Sequence, residues 1–378
     1  MLLRALARYR YGIVAVLAVA DGIVDGLSRT FSHSDFAQFT QAGADLVSGQ
    51  WSRVFSDPWI QVGPLTLVLS GVLGLLHRLT SLRLSLLFSV VVYVAIAVGL
   101  MLVVGLLYRD RDETPDPLVT LAVGIGTIAG GMGFFTVVSG HPSETVIPLL
   151  WILAARDAVD RRGLRSGVWI AIAAGLKLWG ILGLPLILLA RRPRAAVYGV
   201  AMALAGLVAA YLPFLFAGNA TTFGFDWRVM PSSPVALVLA PGTNFTWPMR
   251  VTQGAIVVAL GAAIVLRLRG REHVVWAAPL GIVLARLVTD PLLFNYYWLA
   301  GEALALVGIA LLWPRAGAAL RIAMGVGFFV VAFAVLLPPA SATVIRMVLL
   351  AALVVIATRS VPLLGGIPRS KVSSEESF

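Results

Sequence analysis

The chain has 378 residues, 59% of them hydrophobic and 12% charged, with a mean hydropathy of +0.93 and a net charge of +11. Soluble domains hold roughly 45–50% apolar and ~25% charged residues, so the composition excludes a soluble globular protein and requires an integral membrane one. The absence of cysteine excludes disulfides, thiol catalysis and thiolate metal sites together. The positive charge is accounted for by the Lys and Arg that short cytoplasmic loops collect, not by nucleic acid.

The N-terminal run MLLRALARYRYGIVAVLAVADGIVDGL joins a basic start to an apolar stretch. It lacks an A-x-A-like cleavage site before SRTFSHSD, so it is expected to stay as the first span. The next segment, SHSDFAQFTQAGADLVSGQ (32–50), is too polar for lipid. Its Phe36, Phe39, Gly43, Leu46 and Val47 recur at helical spacing, which predicts an amphipathic helix lying flat on the outer leaflet. Ser32 or Ser34 is the expected N-cap, with Asp35 in the first turn and Asp45 on the solvated side.

The apolar run GPLTLVLSGVLGLL (63–76) is short for a span and suits an interfacial or re-entrant helix. Keeping it outside places RYR (8–10), RDRD (109–112), RDAVDRRGLR (156–165), RRPR (191–194), RLRGR (267–271) and PRAGAALR (314–321) in the cytoplasm. Those segments hold most of the Lys and Arg, as the positive-inside bias requires. Expected spans then cover 11–27, 84–107, 118–138, 143–156, 166–177, 178–190, 195–217, 247–266, 274–289, 296–312, 320–337 and 343–358. The glycine-rich GIGTIAGGMG (124–133) falls inside one span and predicts close helix packing. The fold class is an all-α polytopic membrane protein of about 12 transmembrane helices. A single transmembrane domain is expected over 1–360, with a large first external loop (28–83) carrying interfacial helices, and 361–378 as a cytoplasmic tail.

Lys177 sits where two apolar arms of WIAIAAGLKLWGILGLPLILLA (169–190) meet. A Lys at the centre of a span costs about 2.5–3.5 kcal/mol unless it snorkels to the headgroups or finds an anion. Arg286 lies near the outer end of its span, four residues before Asp290, where it can serve an anionic ligand or pair with that Asp at i, i+4. His33, His141, Glu144, Asp290, Tyr296 and Tyr297 are external or interfacial and complete the candidate set. The two tyrosines also suit an aromatic belt. His33, His77, His141 and His273 have no ligand spacing, and no Walker A motif or GxGxxG followed by an acid occurs, so neither metal nor cofactor is expected.

In order, these features resemble the GT-C superfamily of membrane glycosyltransferases that use polyprenyl-phosphate sugars, especially its actinobacterial mannosyl- and arabinosyltransferase branch. The resemblance covers about 30–300 and rests on five segments. SDFAQFTQAGADLVSGQ matches a first-loop Asp followed by a helix. QVGPLTL stands where a proline-containing helix start is usual, and GHPSE where a Gln-containing external turn is usual, with His141 at the Gln position. GVWIAIAAGLKLWGILGLPLILLARRPR matches a Lys-bearing hairpin, with Trp179 and Gly180 where proline often follows the Lys. TDPLLFNYYW matches a late external Pro and Tyr segment.

The resemblance implies a sugar, mannose favoured over arabinofuranose, moved with inversion from a polyprenyl-phosphate donor to a lipid or glycan acceptor of the cell envelope. It implies Asp35 as general base, and Lys177 with Arg286 at the donor phosphate. The expected setting is the plasma membrane, with the active site on its external or periplasmic face. A transporter or lipid flippase is the rival class. Such proteins usually show two matched halves with broken helices, whereas the charged features here cluster in the first half and around 286–298.

Overall fold

The computed structural model describes residues 2–29, 35–111, 113–114, 116–218 and 221–359. Ser32, His33, Ser34 and the tail 361–378 therefore lie outside the described residues. In chain order the helices are α1 (Leu2–Ser28), α2 (Asp35–Val47), α3 (Trp51–Val54), α4 (Pro64–Thr80), α5 (Leu84–Arg109), α6 (Pro117–Ala129) and α7 (Met132–Ser139). Then come α8 (Ser143–Val159), α9 (Gly163–Leu176), a 3₁₀ helix (Leu178–Leu189), α10 (Pro193–Phe216), α11 (Trp247–Leu268) and α12 (Val274–Thr289). The chain closes with α13 (Leu299–Leu312), α14 (Ala318–Phe333) and α15 (Pro339–Arg359). Between α10 and α11, Trp227–Arg228 pairs antiparallel with Asn244–Phe245.

The protein is an all-α polytopic membrane protein, and each of the twelve expected segments coincides with a helical element. Among the described residues, seven helices are long and apolar enough to cross a membrane, eight if α6 and α7 count as one bent span. The expected continuous span 118–138 is thus broken: α6 and α7 meet at 41°. The break falls at Gly130 and Gly131, the latter at φ +73°, a left-handed conformation that glycine adopts without steric cost.

Contacts sort the helix ends into two levels. The end of α1 meets the start of α5, where Ser85 Oγ donates to the Gly26 carbonyl. The α7–α8 turn meets the start of α2 there, and a Cβ on Gly140 would fall 2.8 Å from the Phe36 nitrogen. The start of α4 docks at the end of α9 through Gly63 N–H donating to the Leu176 carbonyl at 2.8 Å. Because α5 follows α4 directly, both ends of α4 lie at this one end of the bundle, and α4 runs across it. At the opposite end Arg156 pairs with Asp110, Arg111 with Glu272 at 3.1 Å and Arg315 with Glu113 at 2.6 Å.

The hairpin turns at Lys177, whose backbone is extended (φ −159°, ψ 138°) between α9 and the 3₁₀ helix. Twelve residues fall short of the usual length of a membrane crossing. In α form they would reach about 18 Å, but the ~2.0 Å rise of a 3₁₀ helix carries them about 24 Å. Pro185 within the segment lacks an N–H and works against a regular α-helix.

Helix α2 does form, and protein covers the Phe36, Phe39 and Gly43 part of its apolar stripe while Val47 stays exposed. Phe36, Phe39, Ala42 and Gly43 are buried, the stripe packing on α4 and the Phe36 ring stacking on Phe88. Gly43 and Gly71 make the crossing possible, since a Cβ on Gly43 would stand 2.3 Å from the Leu67 carbonyl oxygen. Every residue of α13 is buried, and α5, α6, α8, α12, α14 and α15 surround it.

Candidate active site

Three elements that the sequence places far apart converge at the end crossed by α4. Asp35 opens α2, and its Oδ2 lies 3.0 Å from His141 Nε2 on the turn between α7 and α8. An ionised carboxylate only accepts, so the imidazole carries its proton on Nε2 and donates it here. The His141 ring is fixed between Phe39, at 5.3 Å edge-on, and Tyr296, stacked at 4.5 Å.

The environments of the two groups reinforce each other. Hydrogen bonding from His141, aided by the Lys177 charge, holds the Asp35 carboxyl below the usual carboxylate range despite partial burial. Burial and then the Lys177 charge push His141 below its ordinary value, so it stays neutral near pH 7. The Asp35 side chain is 57% exposed while His141 is 5% exposed. The carboxylate therefore opens to solvent while its partner is held within the protein.

One turn into the protein, Glu144 on α8 bridges two cations. Its Oε1 accepts from Lys177 Nζ at 2.8 Å and from Trp179 Nε1 at 3.2 Å, and its Oε2 accepts from Arg286 Nη1 at 2.9 Å. Lys177 is buried, so it does not snorkel. Its anion within the chain is Glu144, supplied by the same first turn of α8 that follows His141.

Aromatic rings wall in both cations. Arg286 lies 4.0 Å over Trp179 and 4.7 Å over Tyr297, and Lys177 lies 5.6 Å from Tyr296 and 5.8 Å from Tyr297. Such faces attract cations through the ring quadrupole.

Asp290 closes the cluster. Its Oδ1 accepts from Arg250 at 3.1 Å and from the Leu292 N–H at 3.1 Å, and its Oδ2 stands 3.7 Å from Arg286 Nε, the i, i+4 pair seen in the sequence. Ser233 Oγ donates to the Asp290 carbonyl, tying the loop before α11 to this corner.

The expected residues Asp35, His141, Glu144, Lys177, Arg286, Asp290, Tyr296 and Tyr297 thus gather at one end of the bundle, with His33 outside the described residues. Glu144 and Asp290, read from the sequence as substrate contacts, are buried and spend their oxygens on Lys177, Arg286 and Arg250. The sequence reading missed Arg250, which lies over Trp227 at 4.4 Å. The signal was present in FTWPMRV, where a lone cation follows an aromatic pair at the start of a span.

Because the His141 hydrogen bond is the leading cause of the low Asp35 pKa, removing it has a signed effect. His141→Phe lets the carboxyl return upward, and Asp35 titrates at higher pH. His141→Gln restores an N–H donor and keeps that titration near its original place. A second consequence concerns stability. The folded pKa of His141 is lowered, so the unfolded chain binds the proton first. Stability falls as pH drops through about 6.5, the unfolded value, and both variants lose that dependence. The Asp35 titration followed by NMR and the pH–melting profiles of the two variants check this, and an unmoved Asp35 titration in His141→Phe refutes the coupling.

The chemistry on hand is a reachable carboxylate beside a buried, net cationic cluster at one end of a membrane bundle. The family description glycosyltransferase family 87 matches residues 62–290, more than half of the chain. No curated protein matches the chain.

Proposed function

The chain belongs to glycosyltransferase family 87, and from that premise we propose that it moves a sugar, mannose favoured over arabinofuranose, from a polyprenyl-phosphate donor to a lipid or glycan acceptor of the cell envelope. The supporting observation is the separation of charge at the site. An exposed carboxylate, Asp35, stands apart from the buried cations Lys177 and Arg286 and the half-buried Arg250. A base needs access to the acceptor hydroxyl, and a departing phosphate needs cations in a low-dielectric setting.

In this reading the acceptor oxygen attacks the anomeric carbon while Asp35 takes its proton. The bond from that carbon to the phosphate oxygen breaks, its electron pair stays on the phosphate, and the configuration inverts. His141 orients the Asp35 carboxylate through Nε2. Lys177 and Arg286, already shared with Glu144, meet the phosphate charge, and Tyr296 and Tyr297 line the approach. His33 is kept as a substrate contact by its place in the sequence. Glu144 and Asp290 set the positions of the cations.

The arginine-rich ends at Arg156, Arg191 and Arg267 support a cytoplasmic placement of the end opposite the site. The reading therefore keeps about 12 crossings, a single domain over 1–360, a cytoplasmic tail, and a site on the external face of the plasma membrane. No cofactor enters the reaction.

The test is transfer by the purified protein from polyprenyl-phosphate mannose, polyprenyl-phosphate arabinofuranose and a nucleotide sugar. Transfer is expected from a lipid phosphate donor only, and transfer from the nucleotide sugar alone overturns the donor class. Lys177→Met keeps length and removes charge, and lowers kcat/KM for the lipid donor about 10²-fold, the scale of one lost oxyanion contact. Glu144 retains Arg286, so the variant still folds. Unchanged kinetics would leave Lys177 as a structural partner of Glu144.

A further inference from the structure

A second charged feature lies at the opposite end of the bundle and takes no part in the chemistry above. The α8–α9 turn and the first turns of α9 and α10 enclose an open cavity of about 460 Å³, into which Arg161, Arg162, Arg165 and Tyr198 contribute. Close backbone packing builds it. A Cβ on Gly163 would fall 1.9 Å from the Ala195 carbonyl oxygen, and one on Gly199 would fall 2.7 Å from the Gly163 carbonyl oxygen. The glycines let α9 and α10 start side by side, with the basic turn at their common end.

The arginines are held from beneath. Asp157, 1% exposed, lies 3.8 Å from Arg162 Nη1 and 3.5 Å from Arg165 Nε, and accepts from Trp169 Nε1 at 2.8 Å. Arg162 and Arg165 remain 50% and 58% exposed, so each keeps most of its five donors free. Arg161 sits at φ +64°, a left-handed conformation unusual for a side chain that is not glycine. The N-cap of α9 is Arg162, with no side-chain cap, so the first N–H groups of this 14-residue helix also lack a partner from that side chain.

We propose that this cavity binds the phosphate headgroup of an anionic phospholipid in the leaflet at the basic end. The preorganised arginine pair, the third arginine and the uncapped helix start match a phosphodiester. The apolar continuation matches a lipid: Leu164 beside the cavity, with Val197 and Tyr198 on α10, is exposed, and α10 is itself one of the membrane-crossing helices. A tyrosine with its ring on the apolar side and its hydroxyl at headgroup level is a usual interfacial anchor. The occupant is thus a lipid and not a free anion.

The experiment uses the full chain in detergent, delipidated and titrated with short-chain phosphatidylglycerol, phosphatidylcholine or inorganic phosphate, with binding read by native mass spectrometry and melting. Phosphatidylglycerol is expected to bind and raise the melting temperature, with little effect of the other two. The triple variant Arg161→Gln, Arg162→Gln, Arg165→Gln is expected to bind it on the order of 100-fold more weakly, since each arginine near a membrane surface contributes about fivefold. A control triple, Arg109→Gln, Arg191→Gln, Arg267→Gln, removes equal charge from exposed positions at the same end outside the cavity and is expected to bind like the parent. Equal losses in both triples would mean diffuse charge attraction and overturn the site. Equal binding by parent and cavity triple would overturn it too, and inorganic phosphate competing as strongly as the lipid would overturn the lipid assignment.

Discussion

Asp35→Asn lowers the rate of sugar transfer by about 10²–10⁴-fold, the usual contribution of a positioned general base. Asparagine matches aspartate in size and still offers an oxygen to His141 Nε2, so the 3.0 Å contact survives. It is comparably accommodated around the start of a helix, and α2 stays seated because Phe36 and Phe39, not the carboxylate, bury its inner face. What the substitution removes is the capacity to take up a proton, the role that the proposed mechanism gives Asp35. Donor binding, which the proposal places on Lys177 and Arg286, is expected to remain near that of the parent. Turnover, donor affinity and melting temperature of purified Asp35→Asn decide the matter together. Near-normal turnover would remove Asp35 from the mechanism, while a collapse of melting temperature would assign it to the fold.

Glu144→Gln destabilises the protein by roughly 3–5 kcal/mol, the range for breaking a buried ion pair by removing one partner. Glu144 is fully buried and, among the described residues, is the one carboxylate that both Lys177 and Arg286 reach within 3 Å. Glutamine can still accept through a single oxygen, but two cations then face each other without the intervening charge. The loss is expected in thermal melting and in urea titration of the detergent-solubilised chain. Added polyprenyl-phosphate donor is expected to restabilise Glu144→Gln more than the parent, because a bound anion supplies the missing charge and ligand binding stabilises the folded state by mass action. A variant as stable as the parent would show that the pairings carry little energy. A loss of stability without any donor rescue would place the donor phosphate away from Lys177 and Arg286.

These two expectations come from different levels of information. Asp35 stands out in the sequence because it is an acid in the one long polar segment near the N-terminus, and Lys177 because a cation interrupts an apolar run. Hydropathy reports depth in the bilayer, and a charge at an unfavourable depth is visible without a fold. The same reasoning found the turn at Lys177, the short apolar helix α4, and the segment 290–297. It did not find that Glu144 bridges Lys177 and Arg286, that His141 holds Asp35, or that Arg250 joins Asp290.

The sequence by itself determined that the chain is a polytopic helical membrane protein, where its apolar segments lie, and which charges sit at costly depths. Each of these follows from transfer free energies that add along one dimension. Only the tertiary structure decided which charges meet, because that depends on how each helix is rotated about its axis and how closely neighbours approach. Gly43 against Gly71, Gly63 against Gly175 and Gly140 against Phe36 set those approaches, each at a spot where a Cβ would clash with backbone. The bend between α6 and α7 and the seating of α2 on α4 belong to the same class. A periodic pattern shows that a helix has an apolar face but not whether lipid or protein covers it, and here protein does, which fixes Asp35 against His141 at the rim of the cation cluster.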